Sequence, residues 1–246
     1  MATTATPVRF STANVNNSAP AQNFPWEKGV PVNPFWDTID WVSSTQFLYN
    51  FSDSERAELP IDPNSTASPD DKVKFLISLL DAKLAREEEA AAASSSPKSL
   101  AETKPKVWRN LIFAKHVLQS KLGLVSEAGK SIRALAERFG EKDEVLQQAL
   151  ANQLVAEGDY VVAEKIMGPI VGVLDADLTK ASPQAIGARR ALLSAVWKQG
   201  VERRADAEKV VADIKESIQG MVGTKYEVYV GSEGEELERL LAELKG

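Results

Sequence analysis

Cysteine is absent from the 246 residues, which removes disulfides, thiolate metal sites and a cysteine nucleophile from consideration. Histidine occurs once, as His116, so a metal site has no second imidazole to draw on, and any Ser–His pair must use this residue. No glycine-flanked serine elbow accompanies it. Gly-x-x-x-x-Gly-Lys loops and Gly-x-Gly-x-x-Gly turns for phosphates are missing too. Among Ala114, Lys115 and Val117, His116 reads as a surface or groove residue. No catalytic residue, metal or cofactor is therefore assigned.

Long apolar runs are also lacking. None approaches the ~20 residues of a membrane span, and no hydrophobic segment of signal-peptide type follows the start. The expectation is a chain without membrane contact, cytoplasmic in location. An organelle matrix such as the mitochondrial one is the alternative, because residues 1–26 lack acids and are rich in Ser, Thr, Asn and Ala.

Net charge is modest at −6, which gives no reason to expect nucleic-acid binding overall. The charge is uneven. From Lys104 to Arg138 there are eight bases against two acids, whereas from Lys225 onward six glutamates face three bases. A basic middle and an acidic end are expected on the surface.

What is present divides the chain. Residues 1–23 are polar and aperiodic, and disorder is expected there. Residues 24–66 form an aromatic arm, in which Pro25, Pro31 and Pro34 favour extended backbone. Nine of the seventeen aromatics lie in the first 51 residues. Two readings are open: the arm inserts Trp26, Phe35, Trp36 and Trp41 into the chain's own helices, or it presents them to another protein as anchors. A short helix is possible from Trp36 through Phe51. Ser68-Pro69-Asp70-Asp71 is a helix start, followed by one apolar stripe through Val73, Leu76, Leu80 and Leu84. Residues 90–103 are small and polar, the composition of a flexible linker and domain boundary.

Residues 104–246 alternate amphipathic helices with glycine stops. Val107 to Leu122 and Ala128 to Phe139 make one antiparallel pair across Gly123. Val145 to Leu154 and Tyr160 to Leu178 make a second across Gly158, with a kink or break expected near Met167, ahead of Pro169. Ile186 to Trp197 and Ala207 to Ile218 make a third across Gly200. Residues 220–231 read as a loop, with a short extended piece at Tyr226, Val228 and Val230. Ser232-Glu-Gly-Glu235 reads as a capping box opening a last helix, suited to end a stack of hairpins.

The run Gly158-Asp-Tyr160-Val-Val-Ala163 resembles the turn of a tetratricopeptide repeat: glycine, an aromatic two residues on, and alanine three further. Gly123 and Ala128 match with Val125 in the aromatic place. Gly200 is followed by Ala205, but Ala207 fits the apolar face better, implying about two extra residues. The glycine spacings are 35 and 42 residues, the first close to the family's ~34. The proline that closes each repeat is missing. The resemblance covers about residues 104–220. It implies an all-α, right-handed superhelix of antiparallel hairpins whose groove binds a peptide or partner protein.

On that reading the groove contacts are Lys115, Asn152, Arg189 and Arg190, the arginines being shaped for carboxylates. The expected role is a non-enzymatic adaptor or scaffold. Two alternatives stand beside it: the chain's own arm fills the groove, or the protein is an RNA-associated helical-repeat factor.

Overall fold

The computed structural model describes residues 8–9, 29–93, 98–140 and 143–246. The expectations for the rest of residues 1–28, including Trp26, and for the 94–97 stretch lie outside the described residues. Among the described residues are eleven α-helices and one ladder of two-residue strands, Val8–Arg9 (β1) antiparallel to Val30–Pro31 (β2). The all-α class is what forms, though Val8 and Arg9 pair where only disorder was expected. Two compact units divide between Ser131 and Ile132.

The first unit contains α1 (Trp41–Leu48), α2 (Asp53–Glu58), α3 (Pro69–Ala92), α4 (Leu100–Thr103) and α5 (Pro105–Lys121), and the start of α6 (Val125–Phe139). Local chemistry explains the starts. Asp40 Oδ1 accepts the Ser43 amide at 2.9 Å, Ser52 and Glu55 form a capping box, and Ser68 Oγ accepts the Asp71 amide behind Pro69.

Beyond Pro31 the aromatic arm is not extended. Asn33 Oδ1 accepts the amides of Phe35 and Trp36 at 3.1 and 3.2 Å, folding a 3-10 turn over Trp36–Thr38. Phe35 and Trp36 are buried, Trp41 is half-buried against the same core, and Phe47 and Phe51 complete it. Trp36 meets Phe35 edge to face at 5.1 Å and Phe47 at a tilt at 5.9 Å between ring centroids. These rings share one core with Leu76 and Leu80 of α3 and Leu111 and Leu118 of α5. Buried Lys72 ties the turn down, its Nζ donating to the Pro34 carbonyl at 2.7 Å and Thr38 Oγ1 at 3.0 Å.

The domain boundary expected over 90–103 is not where the units divide. Ala91 and Leu100 are buried in the same core as Leu80 and Leu111. Glu88 accepts the Leu100 amide at 2.8 Å, and Glu87 holds Lys104 at 2.9 Å. Polar composition hides one leucine that belongs to the interior.

The second unit holds the rest of α6, then α7 (Glu144–Glu157), α8 (Tyr160–Leu178), α9 (Pro183–Trp197), α10 (Arg204–Gln219) and α11 (Val230–Lys245). Helix α9 is central and packs against α7, α8, α10 and α11. At the end of α7, Gly158 adopts φ +91° while the Asp159 amide reaches the Leu154 carbonyl at 2.8 Å and the Gly158 amide reaches Val155. That is a Schellman stop. In the first unit Gly123 (φ +68°) makes the same bonds to Gln119 and Ser120. Gly200 does not. It sits at φ +118° and leads into a 3-10 turn, Val201–Arg203, before α10 begins. The detour absorbs the extra residues, so Ala207, not Ala205, takes the fully buried position that Ala128 and Ala163 hold after the earlier turns.

Two local expectations are corrected. Helix α8 does not break at Pro169: Met167 and Ile170 on either side are both buried in one core while Pro169 itself faces solvent. Helix α11 starts at Val230, not behind Ser232, and no extended piece precedes it. Tyr226 and Tyr229 are buried, pulling the chain into a 3-10 turn that feeds the helix directly. Ser232 Oγ donates to the Tyr229 carbonyl instead of capping.

Candidate functional site

Helices α7 and α9 open consecutive hairpins, and they touch. Asp143 Oδ1 starts α7 by accepting the Leu146 amide at 3.1 Å, and Ser182 Oγ starts α9 by accepting the Ala185 amide at 3.2 Å. Val145, Gln148 and Asn152 recur at helical spacing on α7, as do Gly187, Arg190 and Ser194 on α9. Val145 is 55% exposed, and Asn152 is exposed. A Cβ on Gly187 would stand 3.7 Å from Gln148 Nε2 and 3.8 Å from Arg190 Nη2. Gln148 of α7 and Arg190 of α9 thus both come near the Gly187 backbone, at distances that an added methyl would meet as ordinary contacts.

The expected groove residues separate. Asn152 is exposed on this face. Arg190 borders it but pairs with buried Glu233 of α11. Burial pushes the Glu233 carboxyl above its ordinary range, against the pull of Arg190.

Arg189 is turned inward and only 1% exposed. Its fork holds Asp175 of α8 at 2.6 Å and Asp213 of α10 at 2.5 Å, and Nη1 donates to the Ala185 carbonyl. Burial alone would raise the Asp213 carboxyl, but bonds from Arg189 and Lys180 bring it below the usual carboxylate range. Neighbouring residues on a helix point about 100° apart, so the Arg189–Arg190 doublet cannot serve one groove together. Lys115 lies in the first unit and pairs with Asp81 of α3.

Three more of the eight bases in the Lys104–Arg138 run are engaged: Lys104 meets Glu87, Lys121 meets Asp40 at 3.3 Å, and Arg133 meets Glu157. His116 is buried, contrary to its reading as a surface residue. Its Nδ1 lies 3.1 Å from the Ala128 carbonyl, and burial lowers its pKa despite that bond.

Sequence reasoning missed a second surface, a cleft of about 390 Å³ at the tips of the α7–α8 and α9–α10 hairpins. Gly158, Tyr160, Gln199 and Arg203 line it. Arg203 donates to Glu164 at 2.8 and 3.0 Å and to Asp206 at 3.1 Å, while Gln199 donates to Glu164 at 2.6 Å. The hydrogen bonds from Arg203 hold Glu164 below the usual carboxylate range. Gly158 and Tyr160 of the turn motif were its signal in the sequence, and Arg204, next to Arg203, is turned over the Trp197 ring, 3.6 Å from its centroid.

Among the described residues, no group of three or more His, Asp or Glu is placed to hold a metal ion, and no helix is long and apolar enough to cross a membrane. No protein-family model, curated protein or solved structure matches the chain.

Proposed function

We propose that this chain is a non-enzymatic interaction protein, an adaptor or scaffold, whose second unit is a degenerate tetratricopeptide-like stack binding a partner segment along the α7–α9 face. The contact between α7 and α9 supports this reading above all: the opening helices of successive hairpins touch, so their outward residues share one surface. Lys115, Arg189 and Arg190 are engaged internally, which shifts the proposal from an acidic ligand to a neutral one. Gln148 and Asn152 offer amides that both donate to and accept from an extended peptide backbone, and Val145 supplies apolar contact. Pairing of these three cations with carboxylates also weakens the RNA reading.

The test is selection of a random peptide display library on the full chain. Enriched peptides are expected to lose at least about tenfold in affinity on Asn152→Arg and Gly187→Leu, and to keep it on the exposed Val228→Arg. Peptides that bind all variants equally would refute the assignment of this face.

A further inference from the structure

The hairpin-tip cleft, about 390 Å³ in volume, shares no residue with the α7–α9 face and is of the size that takes a small ligand group. Asp159 and Tyr160 line it from the α7–α8 turn, and Lys198, Glu202 and Arg203 from the α9–α10 turn. Arg203 is already engaged by Glu164 and Asp206. Bonds from Arg203 hold Glu164 below the usual carboxylate range, and bonds from Lys209 and then Arg203 do the same for Asp206. Both therefore carry full negative charge at neutral pH and cancel the guanidinium.

The other carboxylates of the lining are unclaimed. Asp159 opens α8, yet its side chain forgoes the capping bond that aspartate usually makes at that position. Neither Asp159 nor Glu202 has an ion pair or a side-chain hydrogen bond among the described residues. Lys198 is unpaired there as well, which leaves two free acids against one free base. Tyr160 is half-buried, and among the described residues its ring touches no other aromatic and its hydroxyl makes no hydrogen bond. Val161, 50% exposed, adds an apolar border. The group that fits this lining is cationic, flat and rich in donors. A guanidinium meets all three demands, forking onto carboxylates and stacking on aromatic rings, whereas an ammonium offers only a point charge.

We propose that this cleft recognises an arginine side chain of a partner protein, with Asp159 and Glu202 accepting its N–H donors and Tyr160 stacking on its plane. Lys198 opposes the bound cation. Ion pairs open to water are weak, so a single arginine binds with a dissociation constant on the order of 1–10 mM, and the cleft supplies one anchor within a larger contact.

The test is an amide chemical-shift titration of the full chain by NMR with N-acetyl-arginine methylamide, whose only charge is the guanidinium. Signals of Asp159, Tyr160 and Glu202 should move together and saturate. Asp159→Asn combined with Glu202→Gln should weaken binding at least about fivefold, and Tyr160→Leu at least about threefold. Lys198→Gln should tighten it about twofold. These sites are exposed or half-buried, and asparagine starts a helix as well as aspartate does, so each variant should keep the dispersed spectrum of the folded chain. The lysine analogue should bind at least about threefold more weakly than the arginine one, and the glutamate analogue should not bind. Absence of a saturable shift with the arginine probe overturns the proposal. So does a glutamate probe that moves the same signals, which would make Lys198 the recognising group. A lysine probe as tight as arginine, or an affinity unchanged by the paired acid-to-amide substitution, overturns it too.

Discussion

Trp197 donates its indole N–H to the main-chain carbonyl of Leu244, 2.7 Å away across 47 residues of sequence. The bond fastens the end of α11 to α9, and Arg204 covers the same ring from the other side. Trp197→Phe keeps most of the apolar volume and removes the donor. It should cost about 0.5–1.5 kcal/mol, the net worth of one hydrogen bond whose half-buried acceptor water can still reach, read as a lower urea midpoint. Protection of α11 amides in hydrogen exchange should fall with it.

Arg189 calls for a larger number. Replacing it with methionine preserves length but leaves Asp175 without a cation and Asp213 with Lys180 alone. A loss of about 3–5 kcal/mol is expected. Arg239→Met is the control, since Arg239 pairs with Glu236 and Glu243 in water and should cost no more than about 1 kcal/mol. Equal losses in the two variants would show that the buried fork has no special weight.

Acidification should destabilise the protein in two windows. His116 is held neutral by burial, its pKa below the ordinary value. The unfolded chain therefore binds the extra proton first, and stability falls as pH drops below about 6.5, by at most about 1.4 kcal/mol per pH unit. His116→Gln should flatten that limb in denaturation curves taken between pH 7.5 and 5. The second window is lower. Hydrogen bonding from Lys83, with the Ser52 amide, holds Glu55 at about 2, so its contribution is whole above the unfolded carboxylate range and is lost as pH falls toward 2. Lys83→Met should shrink that lower limb without abolishing it, because the Ser52 amide still bonds Glu55 and Glu164 and Asp213 lose their bonds in the same range.

Gly158→Ala should destabilise by about 1–2 kcal/mol, because φ +91° is strained for any residue with a Cβ. Nothing within 4 Å would meet the added methyl, so the cost is in the backbone alone. Gly234, inside α11 with equally open space, should respond in the opposite sense. Alanine there should stabilise by about 0.5–1 kcal/mol. Thermal denaturation of the two variants checks the contrast.

Helix existence and most helix starts were legible because capping is local: Ser68, Asp143 and Ser182 announce α3, α7 and α9 within four residues. The core role of Phe35 and Trp36 was legible as one of two readings, since aromatics beside prolines need cover from somewhere. Other features depended on distant residues and left no local trace. Leu100 looks like one apolar residue in a polar connection until α3 and α5 close over it. Arg189 and Arg190 look equivalent until Asp175, Asp213 and Glu233 choose a direction for each. Ser232 and Glu235 have the spacing of a cap, but two buried tyrosines outweigh it. The candidate face was visible at Asn152, whose side chain makes no hydrogen bond among the described residues, and at Arg190 on its border.

The 3-10 detour at Val201–Arg203 shows that the alanine crossing, not the length of the hairpin tip, is what the third pair must preserve. Val201, 80% exposed at that apex, is consequently a natural graft point. A short epitope or a fluorophore spliced in there would project into water and leave the Ala207 contact in place, giving a reporter on the intact chain.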